Sequence, residues 1–186
     1  MGESKAENRI PPVDPQQATG KTRRLLGRVR GKLGLVPGTF RVLANAPGAL
    51  EGYLDFSAAL ASGALDIRVR EQIALTVAET NLSACCRSDH MALGQKAGLT
   101  PEEIAAAIRA SAPDPRTDAL LKLARSIVVQ RGEVSDSELQ RARVAGLTDC
   151  EVVEAVANVA LNIFANYVNH VARTAPDFAE ASRSSP

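Results

Sequence analysis

The chain has 186 residues, 45% of them hydrophobic, and 22 basic against 21 acidic side chains leave a net charge of +1. That length suits one domain with a real core, and so even a balance gives no global attraction to nucleic acid or to an anionic membrane. With two Tyr, four Phe and no Trp, the apolar content rests largely on alanine and aliphatic residues, which favours helices packed closely on helices.

No apolar run is long enough to span a membrane. The N-terminus, MGESKAENRIPPVDPQQATG, lacks the apolar centre of a secretory signal. Three cysteines, two of them adjacent, do not make a disulfide framework. A cytoplasmic protein with neither membrane nor nucleic acid as partner is expected.

Residues 1–20 are polar, aperiodic and proline-containing, and read as a flexible leader. Residues 21–32 (KTRRLLGRVRGK) interleave six cations with Leu25, Leu26 and Val29. Two glycines and no aromatic in that run argue against base stacking. The run reads as an arm packed on a neighbouring subunit or left in solvent. Pro37-Gly38 and Pro47-Gly48 each mark the start of a helical pattern, and Leu50, Leu54 and Phe56 to Leu60 supply a buried face closed at Gly63.

From Asp66 a regularity appears. DIRVREQIALTVAETNLSACCRSDHMALGQKAGLT (66–100) has the same length as DPRTDALLKLARSIVVQRGEVSDSELQRARVAGLT (114–148). Both begin Asp-X-Arg and end Ala-Gly-Leu-Thr, and each Thr opens a helix with Glu three residues on, the signature of a capping box. Ser135 and Glu138 repeat that signature. The plan is a repeated helix–turn–helix–Gly–helix unit. In the second copy Ala119 stands opposite Glu71, Val134 opposite Cys86 and Glu138 opposite His90, so the first copy carries the chemistry and the second is scaffold. The last helix runs from about Asp149 to Arg173, with Val152, Val156, Val159, Ile163, Tyr167 and Val171 as its apolar face. Asn158, Asn162, Asn166, Asn169 and His170 form a stripe beside it. That stripe reads as solvated or subunit-facing, with a pocket wall as the alternative. Strand signals are absent, and the fold class expected is all-α.

Cys86, His90, Leu93 and Ala97 share one face of the helix that opens at Ser83. Ser83 is placed to cap that helix by accepting the amide of Cys86, which puts the thiol in the first turn, where the helix dipole favours thiolate. Glu71 lies on an apolar stripe of the preceding helix (Ile67, Glu71, Ala74, Ala78) and needs a partner there. If the two helices pack side by side, Glu71 orients His90 and His90 activates Cys86. One histidine and one or two cysteines on a single turn fall short of a four-ligand zinc cage, so no metal is expected.

These residues resemble the alkylhydroperoxidase D (AhpD)/carboxymuconolactone decarboxylase family. The likeness rests on Arg70-Glu71, the spacing to Cys86, Cys-X-X-X-His and Ala-Gly-Leu-Thr. Val36-Pro37-X-X-Phe40 and Asn-X-X-Asn-His-Val-Ala (166–172) resemble its peroxidase-related branch. The resemblance covers about residues 35–178, within a single helical domain of 21–186. It implies an AhpD-like all-helical bundle assembled as a dimer, trimer or hexamer, with no cofactor. It further implies a small hydroperoxide or organic acid as substrate and a thiol reductant or redox protein as partner. By position, Glu71 matches the relay glutamate, Cys86 the peroxide-attacking cysteine and His90 the histidine. Asn166 and His170 match the tail motif.

The family's first cysteine falls on Ser83, so the usual resolving thiol is missing. Cys85 points about 100° away from Cys86 around the helix, and a vicinal disulfide would strain the helix start. Cys150 opens the last helix. Three functions are open to such a sequence. One is a thiol peroxidase in which Cys86 is the nucleophile. Another is a lyase or isomerase of a lactone or small organic acid, with His90 as acid–base. The last is a non-catalytic oligomer that keeps the fold.

Overall fold

The computed structural model describes residues 8–177, which form nine α-helices and no strand. In chain order they are α1 (Gly20–Leu33), α2 (Gly38–Leu43), α3 (Pro47–Leu60), α4 (Ile67–Thr80), α5 (Ala84–Lys96), α6 (Pro101–Ile108), α7 (Pro115–Val129), α8 (Asp136–Val144) and α9 (Asp149–Ala172). Among the described residues no helix is long and apolar enough to cross a membrane. The all-α bundle expected from sequence is the architecture observed.

Helix α4 lies at the centre. Its residues Gln72 to Ala78 are all buried, because α5, α6, α7 and α9 pack around it. A helix enclosed on every side has to be apolar on every side. The one hydroxyl at its middle, fully buried Thr76, is satisfied by donating to the Ala107 carbonyl at 2.7 Å. The main core gathers Ile73, Leu75, Val77, Leu120, Leu121 and Val159 around it.

The repeated sequence plan has a physical counterpart. Asp66 caps α4 by accepting the Val69 amide, and Asp114 caps α7 by accepting that of Thr117. Arg68 then reaches the Gly98 carbonyl and Glu103, the glutamate of the Thr100 capping box. Arg116 does the same with the Gly146 carbonyl and Glu151 in the Thr148 box. Gly98 and Gly146 sit at φ +87° and +90°, a conformation that side chains resist. Asp-X-Arg and Ala-Gly-Leu-Thr are thus two ends of one clamp, used twice.

Four details depart from the sequence reading. Residues 8–19, inside the expected flexible leader, are docked. The Arg9 amide donates to the Ala172 carbonyl (2.8 Å), that of Val13 to the Arg41 carbonyl (2.9 Å), and Ala18 is buried. These ties run through the backbone, which composition does not report; residues 1–7 lie outside the described residues. The basic run 21–32 forms α1, which lays Leu25, Leu26 and Val29 on the chain's own α3 and pairs Lys21 with Glu51 and Arg28 with Asp55. It is not an arm. Helix α3 ends at Leu60, before Gly63, and Phe56 is exposed.

Helix α9 is rolled relative to the expectation. Tyr167 and Val171 are 57% and 59% exposed, while Asn158, Asn162, Asn166 and Asn169 all face inward. The asparagines tolerate burial because each side chain makes at least one hydrogen bond, although Asn166 Nδ2 has no partner. Asn158 and Asn162 donate back to carbonyls one turn earlier, at 2.8 Å each. Asn166 accepts from Asn81 at 3.0 Å, and Asn169 bonds to Thr39 and Cys86. The stripe is neither solvated nor subunit-facing; it lines the inside of the bundle.

Candidate active site

The turn Asn81-Leu82-Ser83 is short enough to lay α5 back along α4, and this brings the two candidate stripes together. Glu71 Oε2 and His90 Nδ1 are 2.7 Å apart, with side chains only 13% and 18% exposed. Both line a cavity of about 610 Å³, and Cys86, Leu93, Ala97 and Ile67 line it too. The four-residue spacing read from sequence is therefore one wall of a real cavity. The volume suits a small organic molecule.

The imidazole feels opposing influences. Burial lowers its pKa, but the Glu71 charge, its hydrogen bond, nearby Asp89 and a hydrogen bond with Asn162 together outweigh burial, so the net shift is upward. Asn162 gives its amide to Asn158, which leaves its oxygen to accept from the ring. His90 is thus held between a carboxylate and an amide and biased toward imidazolium.

Cys86 is buried, and the hydrogen bond its sulfur accepts comes from Asn169 Nδ2 at 3.0 Å, not from His90. Thr39 donates to Asn169 Oδ1 at 3.0 Å and so fixes which way the amide points. His90 stands one turn along α5, about 6 Å by the helical rise. The sequence reading placed Asn169 only in a stripe with a pocket wall as the alternative, and gave no sign of Thr39; they arrive from α9 and the start of α2.

Tyr53 is the other unforeseen member. It reaches the cavity from α3, set between Phe40 (ring centroids 5.6 Å) and Phe164 (6.1 Å). Burial, then the charges of Cys86 and Glu71, push its hydroxyl pKa well above the ordinary value. It remains a neutral donor beside the sulfur.

The accessory candidates separate. Ser83 is buried at the N-cap of α5, yet its side chain makes no capping bond. The cap expected to accept the Cys86 amide is absent, because Ser83 sits at ψ +86° and not in the extended backbone that aims a hydroxyl down the helix. Cys85 faces away from the cavity toward the Ala175 carbonyl at 3.6 Å. Burial, then the charges of Asp89, Cys86 and Asp177, push its thiol pKa far up, against a hydrogen bond from Thr39. Asn166 is fully buried behind the wall, and His170 is exposed, bonded to the Asn81 carbonyl at 2.9 Å. Cys150 is exposed at the start of α9, about 28 Å by helical rise from Asn169 and the sulfur it touches. Among the described residues no group of three or more His, Cys, Asp or Glu side chains is placed to hold a metal ion.

In the second copy, Ala119 and Glu138 border only a small cleft of about 240 Å³. Glu138 is turned onto Ser126, Ser135 and Gln130, which hold its carboxyl down to about 2.

A central helix carrying a carboxylate, with a thiol and an imidazole on the helix beside it, lies within an all-helical AhpD-like fold. The same overall fold is found in the AhpD core of a peroxidase-related protein from Ralstonia eutropha JMP134, with TM-score 0.83 and 22% identity over 94% of both chains. A peroxidase-related protein from Silicibacter sp. TM1040 is similar at TM-score 0.81 and 20% identity, over 95% of both chains. So is a cysteine-to-alanine variant of the debrominase Bmp8 in complex with 2,3,4-tribromopyrrole, at TM-score 0.81 and 12% identity over 95% of this chain and 96% of that one. Residues 47–125, a stretch that holds Tyr53, Glu71, Cys86 and His90, match the model of the Carboxymuconolactone decarboxylase family. No curated protein matches the sequence.

Proposed function

We propose that the protein reduces an organic hydroperoxide with Cys86 as nucleophile and His90 and Glu71 as its proton relay. The observation that carries this reading is the Glu71–His90 pair at 2.7 Å, on the same cavity wall as a sulfur that already accepts a hydrogen bond from Asn169. The Cys86 thiolate attacks the distal peroxide oxygen, forming an S–O bond as the O–O bond breaks. The imidazolium of His90 gives its proton to the departing alkoxide, and Tyr53 is a second donor on that side. Glu71 keeps the ring oriented and charged. The products are an alcohol and a sulfenic acid at Cys86.

Ser83 cannot resolve that sulfenic acid, Cys85 points the other way and Cys150 is out of reach. An external dithiol or a thiol partner protein completes the cycle. One thiol attacks the sulfenic sulfur with loss of water, and the second displaces the Cys86 thiol. The exposed α9 residues Val156, Tyr167 and Val171 are the face through which copies associate in a homo-oligomer.

The test is turnover of cumene hydroperoxide with dithiothreitol as reductant. Turnover abolished by Cys86→Ser and strongly reduced by His90→Ala is the expected result. A second reading, a lyase acting on a small organic acid, is favoured by the family of residues 47–125. It is supported instead if Cys86→Ser is tolerated and His90→Ala is not.

A further inference from the structure

We infer that the cavity takes an apolar molecule ending in a carboxylate, and that Arg70 receives that carboxylate. This names the substrate class of the site proposed above and rests on the cavity being a substrate pocket.

Arg70 lines the cavity beside Glu71, one turn after Ile67. Its Nε is buried without a hydrogen-bond partner. The guanidinium has no ion pair among the described residues, whereas Arg28, Arg68 and Arg87 are matched by Asp55, Glu103 and Glu79. Arg70 as a whole is half-buried, but its withdrawn Nε has no acceptor, and a buried polar donor without one is costly, so its place on a ligand cavity calls for an anion. Glu71 does not supply that charge, since its carboxylate is engaged by His90.

Charge and shape narrow the anion. The cavity wall holds four cations (Arg28, Lys32, Arg70, Lys96) and two acids (Glu71, Asp89). Arg28 is answered by Asp55, so the charge an anion meets is that of Arg70. The two acids disfavour a doubly charged head, and one guanidinium presents a planar fork that fits a carboxylate. The wall also carries the apolar side chains of Val29, Leu33, Phe40, Leu54, Ile67 and Leu93, which bury an aliphatic or aryl body. Arg70 adjoins the Glu71–His90 contact, and Cys86 lies one turn of α5 further on, about 6 Å by helical rise. A medium-chain acid can therefore reach the sulfur while its carboxylate stays on Arg70.

Calorimetric titration of the full-length protein at neutral pH with octanoate, octanamide and octyl phosphate tests the assignment. Octanoate is expected to bind at least about tenfold more tightly than octanamide, the worth of one charge-assisted hydrogen bond. Octyl phosphate is expected to bind more weakly than octanoate. Arg70→Met is expected to bring octanoate to the octanamide level, and Arg70→Lys to keep part of the difference. Equal binding of octanoate and octanamide overturns the proposal. So does tighter binding of octyl phosphate, or a preference that survives in a cooperatively folded Arg70→Met. The three-ligand comparison on wild type needs no variant, so it decides even if Arg70→Met does not fold. Because binding is read without turnover, failure of the peroxidase assay and loss of the carboxylate preference are separate results.

Discussion

Replacing Asn169 with leucine removes the donor to Cys86 while keeping the side chain's shape. A hydrogen bond to a charged acceptor contributes about 1.5–3 kcal/mol, and one to a neutral acceptor about 0.5–1.5 kcal/mol. The thiolate therefore loses about 1 kcal/mol more than the thiol, which lowers its population roughly fivefold. A more basic thiolate is also a better nucleophile, with a Brønsted coefficient of about 0.4–0.5. About half the effect is thus returned, leaving a roughly two- to threefold slower reaction. The assay is the second-order rate of Cys86 alkylation by iodoacetamide near neutral pH, read at that residue by mass spectrometry in a Cys150→Ser background. Asn169→Leu also strands the buried Thr39 hydroxyl, which donates to Asn169 at 3.0 Å, at a cost of about 1–3 kcal/mol in stability. Thr39→Val is the control: it removes the bond that orients the amide but keeps the Asn169 donor itself, so a smaller fall in rate is expected. An Asn169→Leu rate equal to or above wild type refutes the reasoning, and so does a Thr39→Val rate that falls as far.

The remaining expectations concern charge pairs and one strained turn. His90 has a folded pKa above its ordinary value through Glu71. The pair therefore stabilises the fold below the unfolded histidine value of about 6.5, and that contribution fades as pH rises through the folded value. Thermal melts across this range are expected to show the fade in wild type and its absence in Glu71→Gln; parallel profiles contradict it. Arg116→Met is expected to cost about 1 kcal/mol, and Arg68→Met less, because Glu151 is more deeply buried than Glu103 (side chains 8% and 25% exposed); denaturant midpoints in the opposite order contradict the clamp. Leu82 is 81% exposed at φ +56° in the α4–α5 turn. Leu82→Gly is expected to stabilise by about 1 kcal/mol by relieving that conformation, and a lower melting temperature counts against it.

Local chemistry made much of the architecture readable in advance. Asp-X-Arg and Ala-Gly-Leu-Thr are the two ends of a clamp that closes within 35 residues, so their repetition announced two equivalent units. Glu71, Cys86 and His90 were readable for a related reason. All three lie on one helical hairpin, whose short turn leaves little choice of partner face. Asn169, Thr39 and Tyr53 were hidden because their contacts cross from α9, α2 and α3, and no periodicity records which helix ends near which. The asparagine stripe was misread because polar residues on a helix usually face water. Here back-bonded amides and a chain of side-chain partners hold them inside, with only Asn166 Nδ2 left unpaired among the stripe's amides. Docking of residues 8–19 through their backbone leaves no mark in composition.

A stoichiometric pulse of cumene hydroperoxide, followed by mass spectrometry of Cys85, Cys86 and Cys150, measures the central claim most directly. One added oxygen at Cys86, removed by dithiothreitol and absent from the two other cysteines, is the expected result. Oxidation that falls on exposed Cys150 while Cys86 stays reduced would show that the buried sulfur is packing, and that the carboxylate and imidazole beside it serve some other chemistry.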